Sequence, residues 1–234
     1  MSVDAPGLFA VMPAAGVGRR MGGALPKQYL PLLDQTVIEH SVQALLAVSA
    51  VNQLVVAVSA DDTHWQALPV ASDPRVRTVI GGGERAHSVF NALNALQAAE
   101  HDWVLVHDAV RPCIQPGMIE QLLQALGDDA VGGLLALPLA DTLKQEQSGR
   151  VTATIDRAGL WCAQTPQMFR YGLLKTALRD ALQAGVVVTD ESAAMERAGH
   201  APRLITGTAS NLKVTRADDL SLAAYWLQTH KEQR

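Results

Sequence analysis

Aromatic residues make up only 4% of this 234-residue chain, so Ala, Val and Leu must fill its core. Two cysteines, Cys113 and Cys162, are too few for a disulfide framework. No C-x-x-C pair or Cys/His cluster offers zinc a site. Isolated thiols of this kind behave as small apolar residues in a reducing compartment, which points to the cytoplasm. No segment approaches the ~18 uninterrupted apolar residues of a membrane span, so no membrane partner is expected. The first apolar stretch, Leu8 to Val17, has Asp4 before it and Arg19-Arg20 after it, the reverse of a secretory signal. A basic excess is also missing. The net charge is −4 and the pI about 5.9, which argues against general nucleic-acid binding but leaves room for a local basic patch. What the chain does have is 48% hydrophobic and 18% charged residues, enough for a large core and too apolar for intrinsic disorder.

Apolar runs of strand length alternate with longer stretches of helical spacing. Leu8–Met12, Gln53–Val58, Arg75–Ile80, Trp103–His107 and Leu134–Leu139 read as strands, several of them continuous apolar runs, as buried parallel strands are. Val37–Val48, Glu84–Gln97 and Pro116–Leu126 carry apolar residues at helical spacing. The alternation predicts an α/β fold, a mostly parallel twisted sheet with helices on both faces. The pattern changes after Pro138. Asp141 to Asp156 is polar and reads as a two-stranded hairpin turning at Ser148-Gly149, either a solvated surface hairpin or an arm that packs on another subunit. Helices over Tyr171–Leu182 and Glu191–Arg197, a strand at Arg203–Ile205 and a helix over Ala217–Leu227 complete the chain. With no repeat, low-complexity tract or linker, the expectation is one domain over 1–234 with an inserted arm at about 139–159.

The most informative segment runs from Pro13-Ala14-Ala15-Gly16-Val17-Gly18-Arg19-Arg20-Met21-Gly22 to Pro26-Lys27-Gln28. It follows the first strand, at whose carboxyl end open α/β sheets bind ligands. Small residues there let backbone N–H groups approach phosphate oxygens. Met21 stands where a dinucleotide fingerprint needs its third glycine, and the Gly-Lys-Ser/Thr of a P-loop is missing. What remains is a glycine turn carrying Arg19, Arg20 and Lys27, suited to a polyphosphate, or else a surface loop with solvated cations. His107-Asp108-Ala109-Val110-Arg111-Pro112 ends the fourth strand. A carboxylate beside a phosphate loop suits Mg²⁺, although Asp108 is equally placed to cap a helix or pair with Arg111. His107 reads as a packed residue at the strand's end. Gly81-Gly82-Gly83 opens a helix bearing Ser88 and leaves room for a flat base or for a plain strand-to-helix turn. Thr142, Arg157, Thr165, Thr189-Asp190-Glu191 and Asn211-Leu212-Lys213-Val214-Thr215 are individually nondescript, and Thr189 or Asp190 fits a helix cap.

Together these residues, in order and spacing over nearly the whole chain, resemble the 2-C-methyl-D-erythritol 4-phosphate cytidylyltransferases. The resemblance implies a Rossmann-like nucleotidyltransferase fold, CTP and methylerythritol phosphate as substrates, Mg²⁺, and a homodimer joined through the β-arm. Carried over by position, Pro13, Ala14, Ala15, Gly16, Gly82, Ser88 and Ala109 would contact CTP. Arg20, Lys27 and Lys213 would face the reacting phosphates and Asp108 the metal. Thr189 and Lys213 would contact the sugar phosphate, joined by Thr142 and Arg157 from the partner's arm. Three positions depart from the pattern. Gly83 stands where the family often has a polar or acidic residue, Val110 replaces an alanine, and Ser210 takes an often acidic place. The implied reaction is attack by a phosphate monoester, already mostly dianionic at neutral pH because its second pKa lies near ~6. It needs no general base, only neutralisation of two polyanions. The alternatives are a ribitol 5-phosphate cytidylyltransferase and a CTP-binding regulator without turnover.

Overall fold

The structure, a computed structural model, describes residues 5–16 and 25–232. Strand β1 (Leu8–Pro13) is followed by the two-residue strands β2 (Pro31–Leu32) and β3 (Gln35–Thr36), helix α1 (Val37–Leu46), β4 (Val51–Val58) and β5 (Val76–Ile80). Helix α2 (Arg85–Ala95), β6 (Trp103–Val106), α3 (Pro116–Leu126) and β7 (Gly132–Pro138) come next. Then follow β8 (Leu143–Gln147), β9 (Arg150–Ile155), β10 (Trp161–Arg170), α4 (Tyr171–Gln183), α5 (Glu191–Arg197), β11 (Arg203–Thr206) and α6 (Ala217–Glu232). The main sheet has seven strands in the order β11-β7-β10-β6-β1-β4-β5. All its pairings are parallel except those of β10, which runs antiparallel to both neighbours.

The continuous apolar runs have a physical reason here. Successive side chains of a strand point to opposite faces, and both faces of this sheet are covered. Ala10, Met12, Leu54, Val56 and Leu105 pack with Ile38, Val42 and Leu45 of α1 and Ile119 and Leu122 of α3. Val11, Val55, Ala57, Val104 and Val106 pack with α2, α4 and α5 through Val89, Leu93, Leu174, Leu178 and Met195. Each fully buried Val, Leu or Ile contributes ~1.5–3 kcal/mol relative to exposure. Helix α6 closes a smaller cluster in which Ala223 and Leu227 meet Val37, Cys113 and Val214. Thr36 fixes the start of α1, its N–H donating to Glu39 Oε2 at 2.8 Å.

The arm forms as expected between β7 and β10. Strands β8 and β9 make a separate two-stranded ribbon, and Ser148 and Gly149 both have positive φ, 52° and 77°, as a tight hairpin of this hand requires. Strand β10 corrects the sequence reading, which left Trp161–Arg170 without an element. Its centre is Gln164-Thr165-Pro166-Gln167, and proline argues against a central strand. The structure accommodates it at a break in register between Ala163 and Gln167 on the β7 side. Among the described residues, no helix is long and apolar enough to cross a membrane.

Candidate active site

The carboxyl ends of β1, β5 and β6 open onto one cleft of about 210 Å³. Pro13, Ala14, Ala15 and Gly16 line it from β1, Gly82 and Ser88 from the turn into α2, Ala109 from the loop after β6, and Lys27 and Lys213 from either side. The structure therefore brings all seven expected nucleotide-contacting residues to one place. Arg20 lies outside the described residues. Gln28 holds the first loop in shape, its amide donating to Ala14 O at 2.8 Å and Gly16 O at 3.1 Å, which sets the neighbouring Lys27 at the cleft. The glycine turn is packed tightly. A Cβ on Gly82 would stand 2.3 Å from His87 Cβ, and the Gly82 N–H donates to Ser88 Oγ at 3.1 Å. Gly83 lines the same cleft, and a Cβ there meets nothing within 4 Å.

A second cleft of about 280 Å³ adjoins the first and is lined by Thr189 and Asp190, Gln164, Thr165 and Gln167 of β10, and Arg111. Asp108, Arg85 and Lys213 line both clefts. Asp108 is the hub of charge. Lys213 Nζ is 2.7 Å from Oδ2, Arg85 Nε 3.1 Å from Oδ1 and Arg111 Nε 3.7 Å from Oδ2. Burial alone would raise the Asp108 carboxyl, but Arg85, then Lys213 and Arg111, hold it well below the usual carboxylate range. Burial likewise works against charge on Arg85, and Glu191 and Asp108 overrule it and hold the guanidinium protonated. On Arg111 burial wins, and its pKa is lowered.

Hydrogen bonds from β10 and the 208–215 loop fix this geometry. The Asp108 N–H donates to Thr165 Oγ1 at 3.0 Å. Gln167 donates to Asp190 Oδ2 at 2.9 Å and accepts from the Ser192 N–H at 2.8 Å. Asp190 caps α5, accepting from the Ala193 N–H at 2.9 Å. Asn211 donates to Thr165 O at 2.8 Å, and the Val214 N–H donates to Val110 O at 2.8 Å. These bonds zip the loop of Lys213 against that of Asp108. His107 is fully buried beneath them, and burial lowers its imidazole to about 4. Val110 is core, packed with Cys113 and Val214. Ser210 bonds Thr208 at 2.8 Å rather than reaching either cleft.

Not every expected residue gathers here. Thr142 and Arg157 are exposed on the arm and line neither cleft. Arg157 donates to Ala140 O. Conversely, the sequence gives Arg85 no role, names Glu191 only within Thr189-Asp190-Glu191, and offers Arg111 only as a partner for Asp108. The signal for Arg85 was its position directly after the glycine turn, and for Glu191 its place beside Thr189-Asp190.

Among the described residues no group of three or more His, Cys, Asp or Glu side chains is placed to hold a metal. Asp108 nevertheless suits Mg²⁺, which characteristically takes one or two protein carboxylates and completes its shell with phosphate oxygens and water. The carboxylate is ionised, and the Lys213 ammonium on Oδ2 is itself a cation seated at that place.

A family model described as 2-C-methyl-D-erythritol 4-phosphate cytidylyltransferase matches residues 8–229. The chain belongs to this cytidylyltransferase family. Cytidylyltransferases so named from Pseudomonas putida and Pseudomonas fluorescens are 52% and 51% identical to it. The first match covers 95% of each chain and the second 97%. A crystal structure of a 4-diphosphocytidyl-2C-methyl-D-erythritol synthase superimposes with a TM-score of 0.83 at 40% identity, covering 95% of this chain and 99% of the other. The cytidylyltransferase of Francisella tularensis does so with a TM-score of 0.82 at 30% identity, covering 94% and 99%. The fold is thus that of the cytidylyltransferases, with the sheet mostly parallel and β10 reversed.

Proposed function

We propose that this chain transfers a cytidylyl group from CTP to 2-C-methyl-D-erythritol 4-phosphate, releasing pyrophosphate, in isoprenoid precursor synthesis. The observation that carries the reading to these residues is the seam between the two clefts, where Arg85, Asp108 and Lys213 face both. A donor triphosphate in the first cleft and an acceptor phosphate in the second would meet there. A phosphate oxygen of the acceptor attacks the α-phosphorus of CTP in line. The new P–O bond forms as the α–β bridge bond breaks, and its electron pair leaves on pyrophosphate. The dianionic nucleophile needs no base, which agrees with the lack of any histidine lining either cleft among the described residues. The barrier is charge repulsion, and fixed cations lower it.

The small residues Pro13 to Gly16, with Gly82, Ser88 and Ala109, would seat the nucleoside and the phosphates nearest it. Lys27 and Lys213 would neutralise charge on the α-phosphate, a role the family resemblance gives Arg20 as well. Asp108 would hold Mg²⁺ together with phosphate oxygens, and the ion would supply positive charge where negative charge develops on the leaving group. Thr189 and Lys213 would bind the acceptor. Thr142 and Arg157 would come from a second copy, because the apolar residues Val151, Ile155, Leu160 and Trp161 along the arm and at its base are 65%, 41%, 41% and 37% exposed. Two-stranded ribbons are marginal alone, and a homodimer through the arm covers this stripe. The family and the isolated thiols favour the cytoplasm.

The test is pyrophosphate release with Mg²⁺, four nucleoside triphosphates and two acceptors. Turnover with CTP and methylerythritol phosphate is expected. Preference for ribitol 5-phosphate would move the protein to the neighbouring activity, and CTP binding without release would make it a regulator.

A further inference from the structure

We propose that Arg85 is a phosphate-facing cation shared by the two clefts, and that Glu191 is the positioning residue that holds it there. The proposal rests on the cytidylyltransferase reading and gives a role to two residues to which the sequence assigns none. Arg85 begins α2 directly after the glycine turn, and its side chain, 27% exposed, lines both clefts. Nη1 and Nη2 donate to Glu191 Oε1 and Oε2 at 2.7 and 3.0 Å, and Nε donates to Asp108 Oδ1 at 3.1 Å. A guanidinium has five N–H groups, so one remains on each Nη, on a residue that lines both clefts.

Glu191 is fully buried, and both its oxygens are spent on this guanidinium. An ionised carboxylate without solvent is costly, and apolar residues of similar volume often serve stability as well or better. Its use is geometric. A long arginine beside a triphosphate would otherwise follow the charge, whereas a bidentate fork fixes the guanidinium plane. The guanidinium is then held in place before the substrates arrive, and little reorganisation is needed as charge develops. The same clamp holds Asp108 Oδ1, leaving Oδ2 to face Lys213. Glu191 in turn is set by the start of α5, which Gln167 and Asp190 pin to β10. Chemistry, more than ground-state affinity, should therefore depend on Glu191.

The experiment compares the wild type with Glu191→Gln, Arg85→Gln, the double variant and Arg85→Lys, measuring kcat, both KM values and melting temperature. Glu191→Gln keeps the side-chain size but replaces one acceptor by a donor facing Arg85. It is expected to lower kcat about tenfold or more while each KM stays within about threefold. The double variant should be no slower than Arg85→Gln alone, because Glu191 acts through Arg85. A purely structural Glu191 would lower the melting temperature and leave kcat per folded enzyme intact. Wild-type kcat in Glu191→Gln, or multiplying effects in the double variant, overturns the proposal. If Glu191→Gln does not fold, Arg85→Lys decides. It keeps the charge without the fork and should lose kcat, and wild-type kinetics there overturn the proposal equally. A wild type that releases no pyrophosphate from CTP and methylerythritol phosphate overturns the functional reading and this proposal with it. An active wild type with unaffected variants overturns this proposal alone.

Discussion

Lys213 Nζ lies 2.7 Å from Asp108 Oδ2, a contact that joins the loop after β11 to the loop after β6 at the seam of the two clefts. The lysine thus has a carboxylate partner before any phosphate is present, and it lines both clefts from one position. On the proposed mechanism, Lys213→Ala removes a cation that would stabilise the one transition state the two substrates share. It should lower kcat by roughly 10²–10³, the usual cost of losing one preorganised donor. Steady-state pyrophosphate release measures it, and an unchanged kcat would take Lys213 out of the chemistry.

Asp108 answers three cations at once, so Asp108→Asn should have two separable effects. The Mg²⁺ concentration for half-maximal rate should rise, because a neutral amide is a poor ligand for a hard cation. The melting temperature should also fall, since Arg85, Arg111 and Lys213 would repel one another without their common anion. A metal titration that matches the wild type would leave Asp108 a structural ion-pair hub only.

How much of this was legible beforehand depended on where each residue's partners lie. Gln53 to Val58 reads as a strand because both faces of its apolar run are buried by neighbours that any parallel sheet supplies. The glycine turns and Asp108 carry their chemistry in local spacing. Strand β10 does not. Gln164, Thr165 and Gln167 are polar yet buried, tolerable only because Thr208, Asp108 and Asp190 reach them from distant parts of the chain. Nothing local distinguishes them from a solvated loop. Glu191 is hidden for the same reason, since its partner Arg85 meets it only once the helices covering one face of the sheet are assembled. The arm was legible as a hairpin, but its occupant is a question of assembly.

His107 gives the fold a pH dependence of known sign. Arg111 O can only accept, so His107 Nε2 donates to it at 3.1 Å, and Nδ1 lies 3.1 Å from the Thr165 hydroxyl. Burial lowers the imidazole to about 4, so the ring is neutral at pH 7. In the unfolded chain the ordinary value is near ~6.5. Between these values the unfolded state binds the extra proton, so stability should fall as pH drops from about 6.5 to about 4, by up to ~3 kcal/mol. Asp108, held low, adds its own loss only at more acid pH, below the ordinary carboxylate value. Urea midpoints across this range test the slope, and His107→Asn should flatten it.

The arm makes a prediction about whole molecules. Arg157 sits at its base, outside both clefts of its own chain, whereas Lys213 lines both. If the arm of one copy completes the site of another, Arg157→Ala and Lys213→Ala damage different halves of each composite site. Arg157→Ala should raise the KM for methylerythritol phosphate far more than that for CTP. Each variant alone is expected to be poor at subsaturating acceptor. Mixed and allowed to exchange, half of the dimers of a two-fold assembly are hybrids, and each hybrid has one site with both residues intact. Activity should then recover to roughly a quarter of the wild-type level, since a two-fold interface treats both arms alike. Breaking the apolar stripe with Val151→Glu and Ile155→Glu should yield monomers by light scattering and abolish that recovery. A mixture that stays at the average of its two components would place Arg157 in its own chain's site or in none.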